Sequence, residues 1–378
     1  MRLDEACDLV MGQSPSSASY NQEGKGLPFY QGNADFGDLY PITKTWCNQP
    51  RKTAEAGDIL ISVRAPIGAV NIAGEECCIG RGLAAIRQNG SAVSRDYLFH
   101  CLQANRSKLE AMGTGSTFKA IGKRSLSSLA IPIYGLEKQK MIVRQLEGGN
   151  ECLAAAATAL TMFDALVKSR FVEMFGDGQW KRTALSEVAD IQGGLTKSGK
   201  RDLLPLKLPY LRVANVLRGT LYLDEVLEIG LTAAECEKNL LVEGDLLFVE
   251  GNGSADQIGR CAVWDGSIAP CVHQNHLIRV RFDERVLPVY ALAYFNAHDG
   301  REQIVARAVN TSGLFTLSTG KVKALQMPLP PLPLQQKFSD FVNNVDKSRF
   351  VARRIRETLG EYNEMTMEHV TCVKGDSL

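Results

Sequence analysis

The sequence predicts an α+β protein: two pseudo-repeated α/β modules joined by two long antiparallel coiled-coil helices. The first observation behind this is an internal repeat. Leu3-Asp4-Glu5-Ala6-Cys7-Asp8-Leu9 returns as Leu185-Ser186-Glu187-Val188-Ala189-Asp190-Ile191, and Leu27-Pro28-Phe29 as Leu208-Pro209-Tyr210. Gly57-Asp58-Ile59-Leu60 returns as Gly244-Asp245-Leu246-Leu247, and Ile67-Gly68 as Ile258-Gly259. Cys78 and Tyr97 match Cys271 and Tyr290 at one constant offset. The second observation is that each half closes on a long run of apolar residues stepping by threes and fours. The third is length: 378 residues suit two domains, each with room for its own core.

The elements follow in order. Residues 1–134 alternate short β-like runs with Gly/Pro/Asn/Asp punctuation; Ile59-Leu60-Ile61-Ser62-Val63 and Leu83-Ala84-Ala85-Ile86 are the clearest strands. Tyr97 to Leu109 reads as a helix with Leu98, Cys101, Leu102 and Leu109 on one face. Residues 135–176 form the first long helix, its seam running through Ile142, Leu146, Gly149, Leu153, Ala156, Leu160, Phe163, Val167 and Met174, broken by Arg170 alone. Gly148-Gly149 costs about 1 kcal/mol per glycine relative to alanine, so a flexible point or kink is expected there. Gly176-Asp177-Gly178 ends the helix.

Residues 177–333 form the second module, with strands at Asp245–Val249 and His276–Val280 and a helix over Val289–Asn296. Residues 334–378 hold the second long helix and a tail. Its seam is read as Phe338, Phe341, Val345, Ala352, Ile355, Leu359 and Tyr362, with Ser348 the one polar position. Each long helix spans on the order of 50 Å at 1.5 Å per residue. Two such seams in one chain are best satisfied by each other, and an antiparallel pair with a module at each end solves that geometry simply.

Composition excludes several classes. No export signal is expected, since Arg, Asp and Glu follow Met1 closely, and no 18-residue apolar stretch stands out, so neither membrane insertion nor a disulfide framework is expected. The ten cysteines (Cys7, Cys47, Cys77, Cys78, Cys101, Cys152, Cys236, Cys261, Cys271 and Cys372) include no CxxC pair and read as reduced, mostly buried thiols of a cytoplasmic protein. Residues 1–134 carry 14 Lys/Arg against 12 Asp/Glu, and residues 177–333 carry 17 against 18. A domain-wide basic signature is therefore absent, and nucleic-acid contacts would come from local clusters such as Lys119–Arg124, Lys197–Arg201 and Arg349–Arg356. Solvated surface charge accounts for each of these clusters equally well.

Most chemical motifs fail on inspection. Gly194–Lys200 matches GxxxxGK, but Arg201 stands where Ser or Thr should hold magnesium, and Pro205 and Pro209 deny the helix that should follow. A Gly-rich basic loop touching phosphate remains open. The proline run Pro328-Leu329-Pro330-Pro331-Leu332-Pro333 reads as helix entry rather than a polyproline ligand. His273 and His276 lack a Cys or carboxylate at ligand spacing, so no metal site is expected. No catalytic site emerges.

The chain resembles the specificity (S) subunits of type I restriction–modification enzymes. The resemblance rests on Gly115-Ser116-Thr117 followed by Ile121, Lys123, Leu126, Leu129, Ile131-Pro132, Leu136 and Gln139. The counterparts are Thr311-Ser312-Gly313, Leu317, Leu325, Met327-Pro328-Leu329-Pro330-Pro331-Leu332 and Gln335-Gln336, with Gln274-Asn275-His276-Leu277 and the Trp180 lead-in similar to the family's usual text. The first half departs from it: it lacks the tryptophan and has Gly80-Arg81-Gly82 against His273-Gln274-Asn275.

The resemblance implies a target-recognition domain in each module, each reading half of a bipartite double-stranded DNA site. The helices act as spacer and as the platform for two methyltransferase (M) subunits, joined by two motor-nuclease (R) subunits where a system includes them. This chain then binds no cofactor and is not itself an enzyme; S-adenosylmethionine, ATP and Mg2+ serve the partner subunits. The alternative is a stand-alone DNA-binding regulator or a decoy that sequesters M subunits. DNA-contact candidates are Lys25, Arg64, Arg81, Lys119 and Lys123 in the first module. In the second they are Lys197, Lys200, Arg212, Asn252, Gln257, Arg260, His273, Gln274 and Lys321. Seam candidates are Leu153, Leu160, Phe163, Val167, Phe341, Val345, Ile355 and Leu359.

Overall fold

A computed structural model describes residues 1–115, 119–176 and 180–371. Ser116, Thr117, Asp177, Gly178 and Cys372, all used in the sequence reading, lie outside the described residues. The chain divides into two compact units, Met1–Ala157 with Arg353 onward, and Thr158–Ala352. The long helices, Leu136–Phe175 and Leu332–Thr371, each contribute to both.

The first unit is built on a four-stranded antiparallel sheet ordered Cys7–Met11, Leu83–Gln88, Ile59–Ser62, Val70–Ile72. Successive strand residues point to opposite faces. Leu9, Ile59, Ile61, Ala84 and Ile86 pack under Tyr97, Leu98, Cys101 and Leu102 of the helix Arg95–Ala104 and against Ile142, Val143 and Leu146 of the first long helix. Leu60, Leu83 and Ala85 face the other way, onto Tyr30, Cys77 and Ile79 of a second, five-stranded sheet. Both faces are covered, which is why Ile59-Leu60-Ile61 is apolar throughout instead of alternating.

The second unit repeats this plan. Its main sheet runs Ala189–Gly193, Leu277–Phe282, Leu246–Val249, Cys261–Val263, again antiparallel throughout. Leu246, Phe248, Ile278 and Val280 face the helix Pro288–Asn296, while Leu247, Val249 and Leu277 face a separate core with Leu211 and Trp264. A parallel pairing recurs as well: Phe29 opposite Cys78 and Tyr30 opposite Ile79 in the first unit, Tyr210 opposite Val272 and Leu211 opposite His273 in the second.

The repeated Gly-Asp is explained by its turn. Gly57 and Gly244 have φ of 91° and 93°, a conformation that favours glycine. The buried Asp58 and Asp245 carboxylates then accept the turn amides of Glu55 and Val242 (2.8 and 2.9 Å) and pair with Arg87 and Arg281 (2.8 and 2.7 Å). The tyrosine of each core helix recurs for a similar reason: Tyr97 Oη donates to the Pro132 carbonyl (3.0 Å) and Tyr290 Oη to that of Pro328 (2.9 Å). Among the described cysteines none is in a disulfide, and seven are buried.

Within each unit the two helix segments run antiparallel. In the first, Ile142, Val143 and Leu146 share a core with Val370, and Asn363 Nδ2 donates to Asn150 Oδ1 at 3.0 Å. In the second, Phe171 and Phe175 meet Phe338 with ring centroids 5.5 and 5.6 Å apart, Arg349 pairs with Asp164 at 2.6 Å, and Arg170 lies over the Phe341 ring.

On the first helix Leu153, Leu160, Phe163 and Val167 are half-buried around a buried Ala156. On the second, Val345 is buried and Phe341 and Leu359 are half-buried, but Ile355 is a correction. Ile355 and Tyr362 are 42 % and 40 % exposed, while Ala352 and Asn363 are buried and Arg349 is largely so. The seam thus keeps Phe338, Val345, Ala352 and Leu359 but takes Val342, Arg349 and Asn363 one residue later than read, with Arg349 and not Ser348 at its polar position. The helix is continuous through Gly148-Gly149.

The first long helix is also long and apolar enough by composition to cross a membrane, which the sequence reading did not single out. Part of that apolarity is the seam. Part of the rest is exposed, at Leu136 and Met141 in the first unit and at Met162, Leu166 and Val172 in the second; Phe350 and Val351 are exposed on the other helix.

Candidate nucleic-acid interface

In the first unit three candidates meet at one end of the main sheet. Val63 N–H donates to the Gly82 carbonyl and Ile121 N–H to the Val63 carbonyl, both at 2.9 Å. Arg64, Arg81 and Lys119 therefore sit on adjacent chain segments, with Arg64 also bridged to Ala120. Lys123 opens the short helix Lys123–Ser127 two residues beyond Ile121. All four side chains are exposed, and none forms a side-chain ion pair among the described residues. Lys25 is placed apart, in an exposed loop whose backbone is held by Asn21 (2.7 and 2.9 Å).

The second unit repeats the scaffold with different side chains. Glu250 N–H donates to the His276 carbonyl (2.9 Å) and Leu317 N–H to the Glu250 carbonyl (2.7 Å). Asn252 belongs to a small ribbon, Gly251–Asn252 pairing with Leu314–Thr316, which pairs in turn with Val309–Thr311. Its hairpin turns on Ser312 and Gly313, with φ of 53° and 83°, the doubly left-handed two-residue turn whose twist matches a tight hairpin. Asn310 Oδ1 accepts the Gly313 amide at 3.2 Å. Residues 309–314 are all exposed. The exposed two-stranded hairpin Val309–Thr316 of this small sheet, mixed polar and apolar, has the dimensions that a DNA major groove admits.

Several candidates in the second list do other work. His273 is a correction: its side chain is fully buried, so it presents nothing to a ligand. The reason is register. The parallel pairings make His273 the counterpart of Ile79, and Asn275 that of Arg81, so Cys271 is not the equivalent of Cys78 and the constant offset slips by one residue here. Burial pushes the His273 imidazole down to about 4, helped by the Arg279 cation and opposed by the neighbouring backbone of Asn239 and Gln192.

Arg260 is also committed inward, donating to the Val216 and Val213 carbonyls (2.6 and 2.9 Å). Arg212 pairs with Glu225 at 3.3 Å, and Gln257 donates to Asp256 at 2.6 Å. Gln274 is half-buried, its backbone N–H donating to the Leu211 carbonyl (2.9 Å); Lys321 is half-buried in the helix Thr319–Lys323. Lys197 and Lys200 are exposed.

Their loop does not form a phosphate cradle. Gly194 is there because a Cβ would lie 2.0 Å from the His273 carbonyl, and Arg201 is tied to Glu235, whose carboxyl it holds down to about 2. The sequence reading missed Asn275, Asn310, Thr311 and the Glu250–His276 pair (3.1 Å). Aligning the two halves on strand pairing rather than on cysteines would have placed Asn275 beside Arg81.

Comparison with known proteins agrees with this architecture. The family described as the type I restriction modification DNA specificity domain matches residues 1–151 and 178–359. A putative type I restriction enzyme MjaX specificity subunit of Methanocaldococcus jannaschii is 50% identical over 139 residues, 37% of this chain and 33% of that protein. The chain thus spans a third of that relative's length. The EcoKI specificity subunit of Escherichia coli is 23% identical over 375 residues, covering 89% of this chain and 77% of that one. In fold, the S subunit of a type I restriction–modification system from M. genitalium matches with a TM-score of 0.61 at 16% identity, over 98% of this chain and 95% of that one. With two matched segments that each cover one of the repeated sheets and its spacer entry, the chain belongs to the type I restriction–modification DNA specificity domain family and carries the domain twice.

Proposed function

We propose that this chain is the specificity subunit of a type I restriction–modification complex, each domain reading one half of a bipartite double-stranded DNA site. One observation carries the reading: the same strand-end scaffold occurs twice but bears different side chains. The first unit offers the exposed Arg64, Arg81 and Lys119; the second offers the half-buried Asn252 and Asn275 and the exposed hairpin residues Asn310 and Thr311. Cations of this kind hold phosphates and position the protein, while amide side chains read base edges. Two equal scaffolds with unequal reading groups suit two unrelated half-sites separated by an unread gap.

The relatives' names as specificity subunits support the same reading. The chain supplies the address and no catalysis; S-adenosylmethionine, ATP and Mg2+ belong to its partners. Two M subunits dock on the long helices, where Met162 and Phe350 leave 65 % and 64 % of their surface uncovered, more than isolated surface residues need. R subunits join where the system includes them, and the assembly works in the cytoplasm.

Methylome sequencing of cells expressing the chain with its M subunit tests this. A bipartite, gapped motif is expected; a continuous palindrome overturns it. In binding assays, Arg64→Ala or Lys119→Ala lowers affinity for all sequences alike and reduces the salt slope by about 1 per phosphate contact. Asn252→Ala instead relaxes specificity in one half-site only.

A further inference from the structure

We propose that Gln139 and Gln335 are positioning residues that lock the angle between each recognition domain and its spacer helix, and so set how strictly the complex discriminates gap length. The inference rests on the bipartite reading above. Both side chains are fully buried, each in the first turn of a long helix, where polar groups are ordinarily exposed.

Each makes the same three hydrogen bonds. Gln139 Oε1 accepts the Ser94 amide (2.8 Å), and its Nε2 donates to the carbonyls of Ala92 (2.8 Å) and Tyr134 (2.7 Å). Gln335 Oε1 accepts the Leu287 amide (2.9 Å), and its Nε2 donates to the carbonyls of Arg285 (3.0 Å) and Pro330 (2.9 Å). Ser94 and Leu287 are the residues that open the core helices Arg95–Ala104 and Pro288–Asn296. One amide thus ties three segments together: the spacer's first turn, the linker leading into it, and the loop that starts the core helix.

A helix joined to a domain by a short linker can swing about that linker. A three-point hydrogen-bond clamp has one satisfying orientation, and leaving it costs buried, unpaired polar groups. The clamp's recurrence in two halves whose reading groups have diverged points to a requirement common to both domains, and spacer direction is one they share.

The test uses the full chain assembled with its M subunits and a panel of DNAs carrying both half-sites at gaps from three base pairs shorter to three longer than the best. Gln335→Met keeps the volume and removes all three bonds. The expected result is a flattened gap profile: the preference for the best gap over its neighbours falls several-fold, while affinity for either isolated half-site is unchanged. Asp245→Asn, which weakens an ion pair elsewhere in the same unit, should lower thermal stability and leave the profile sharp.

A sharp profile retained in folded Gln335→Met overturns the clamp alone. A wild-type profile flat in gap length overturns the bipartite reading and the clamp with it. Gln139→Met carries the same test in the first unit should Gln335→Met not fold. A spin-label distance between Asn344 on the helix and Glu302 in the domain, both exposed, should broaden in Gln335→Met; an unchanged width counts against the proposal.

Discussion

His273 shows at the scale of one residue how a polar side chain can mislead. Its place in Gln274-Asn275-His276 text suggests a loop, yet it occupies the strand position of Ile79 and is fully buried. Its imidazole sits near 4 in the folded chain against about 6.5 when unfolded. Above pH 6.5 both states hold it neutral and it carries no penalty. As pH falls from 6.5 toward 4 the unfolded state takes up a proton that the folded state refuses, so stability drops with pH, by up to about 3 kcal/mol at 1.36 kcal/mol per unit. Urea midpoints measured across that window should fall in the wild type and fall less in His273→Leu; parallel curves would show that His273 is not the source.

Asp58 and Asp245 teach the opposite lesson. Their Gly-Asp repeats were legible because the same turn and the same arginine partner are required twice. The reading groups were less legible. Asn275 and Asn310 are ordinary loop residues until strand pairing assigns them an end of the sheet.

Among the elements, the two glycines of the first long helix separate propensity from packing. Nothing lies within 4 Å of a Cβ built on Gly148, whereas one on Gly149 would fall 2.3 Å from Asn363 Oδ1. Gly148→Ala should therefore stabilise the chain by about 1 kcal/mol through helix propensity alone. Gly149→Ala should destabilise it by about 1–3 kcal/mol despite the same propensity gain, because the Asn363–Asn150 contact must give way. Thermal melts of the two variants shift in opposite directions; a shared upward shift would mean that the notch is not tight.

The helices themselves were read from apolar stepping, which reports a period well and a phase poorly. Where Arg349 and Asn363 take seam positions and Ile355 and Tyr362 do not, hydrophobicity points to the wrong face. A second apolar stripe, exposed at Phe350, Val351 and Ile355, produces that error.

For the molecule as a whole, the repeat, the central strands of each half and the long helices were visible in the sequence because each rests on local pattern. The division into units was not, since it depends on which distant segments pack together. The second unit is one continuous stretch, Thr158–Ala352, while the first needs both Met1–Ala157 and the chain from Arg353 onward. Val370 lies in the first unit's core, and Lys108 Nζ donates to the Thr371 carbonyl at 3.1 Å. Truncation after Ala352 should thus weaken the first unit and spare the second. Hydrogen exchange should rise along Ile59–Ser62 and Leu83–Gln88 while Leu246–Val249 keeps its protection; a loss confined to the second unit would contradict the division.

The same interleaving has a consequence during synthesis. A ribosome delivers the first domain's sheet early and the helical segment that completes its core last, after some 200 further residues at about 5–20 per second. For that interval, on the order of ten seconds or more, the N-terminal half waits with Ile142, Val143 and Leu146 short of a partner, while the later-made half can already close on itself. The nascent chain finishes in the reverse of the order in which it began, and the waiting surface is where a chaperone or an early-arriving partner subunit would find it.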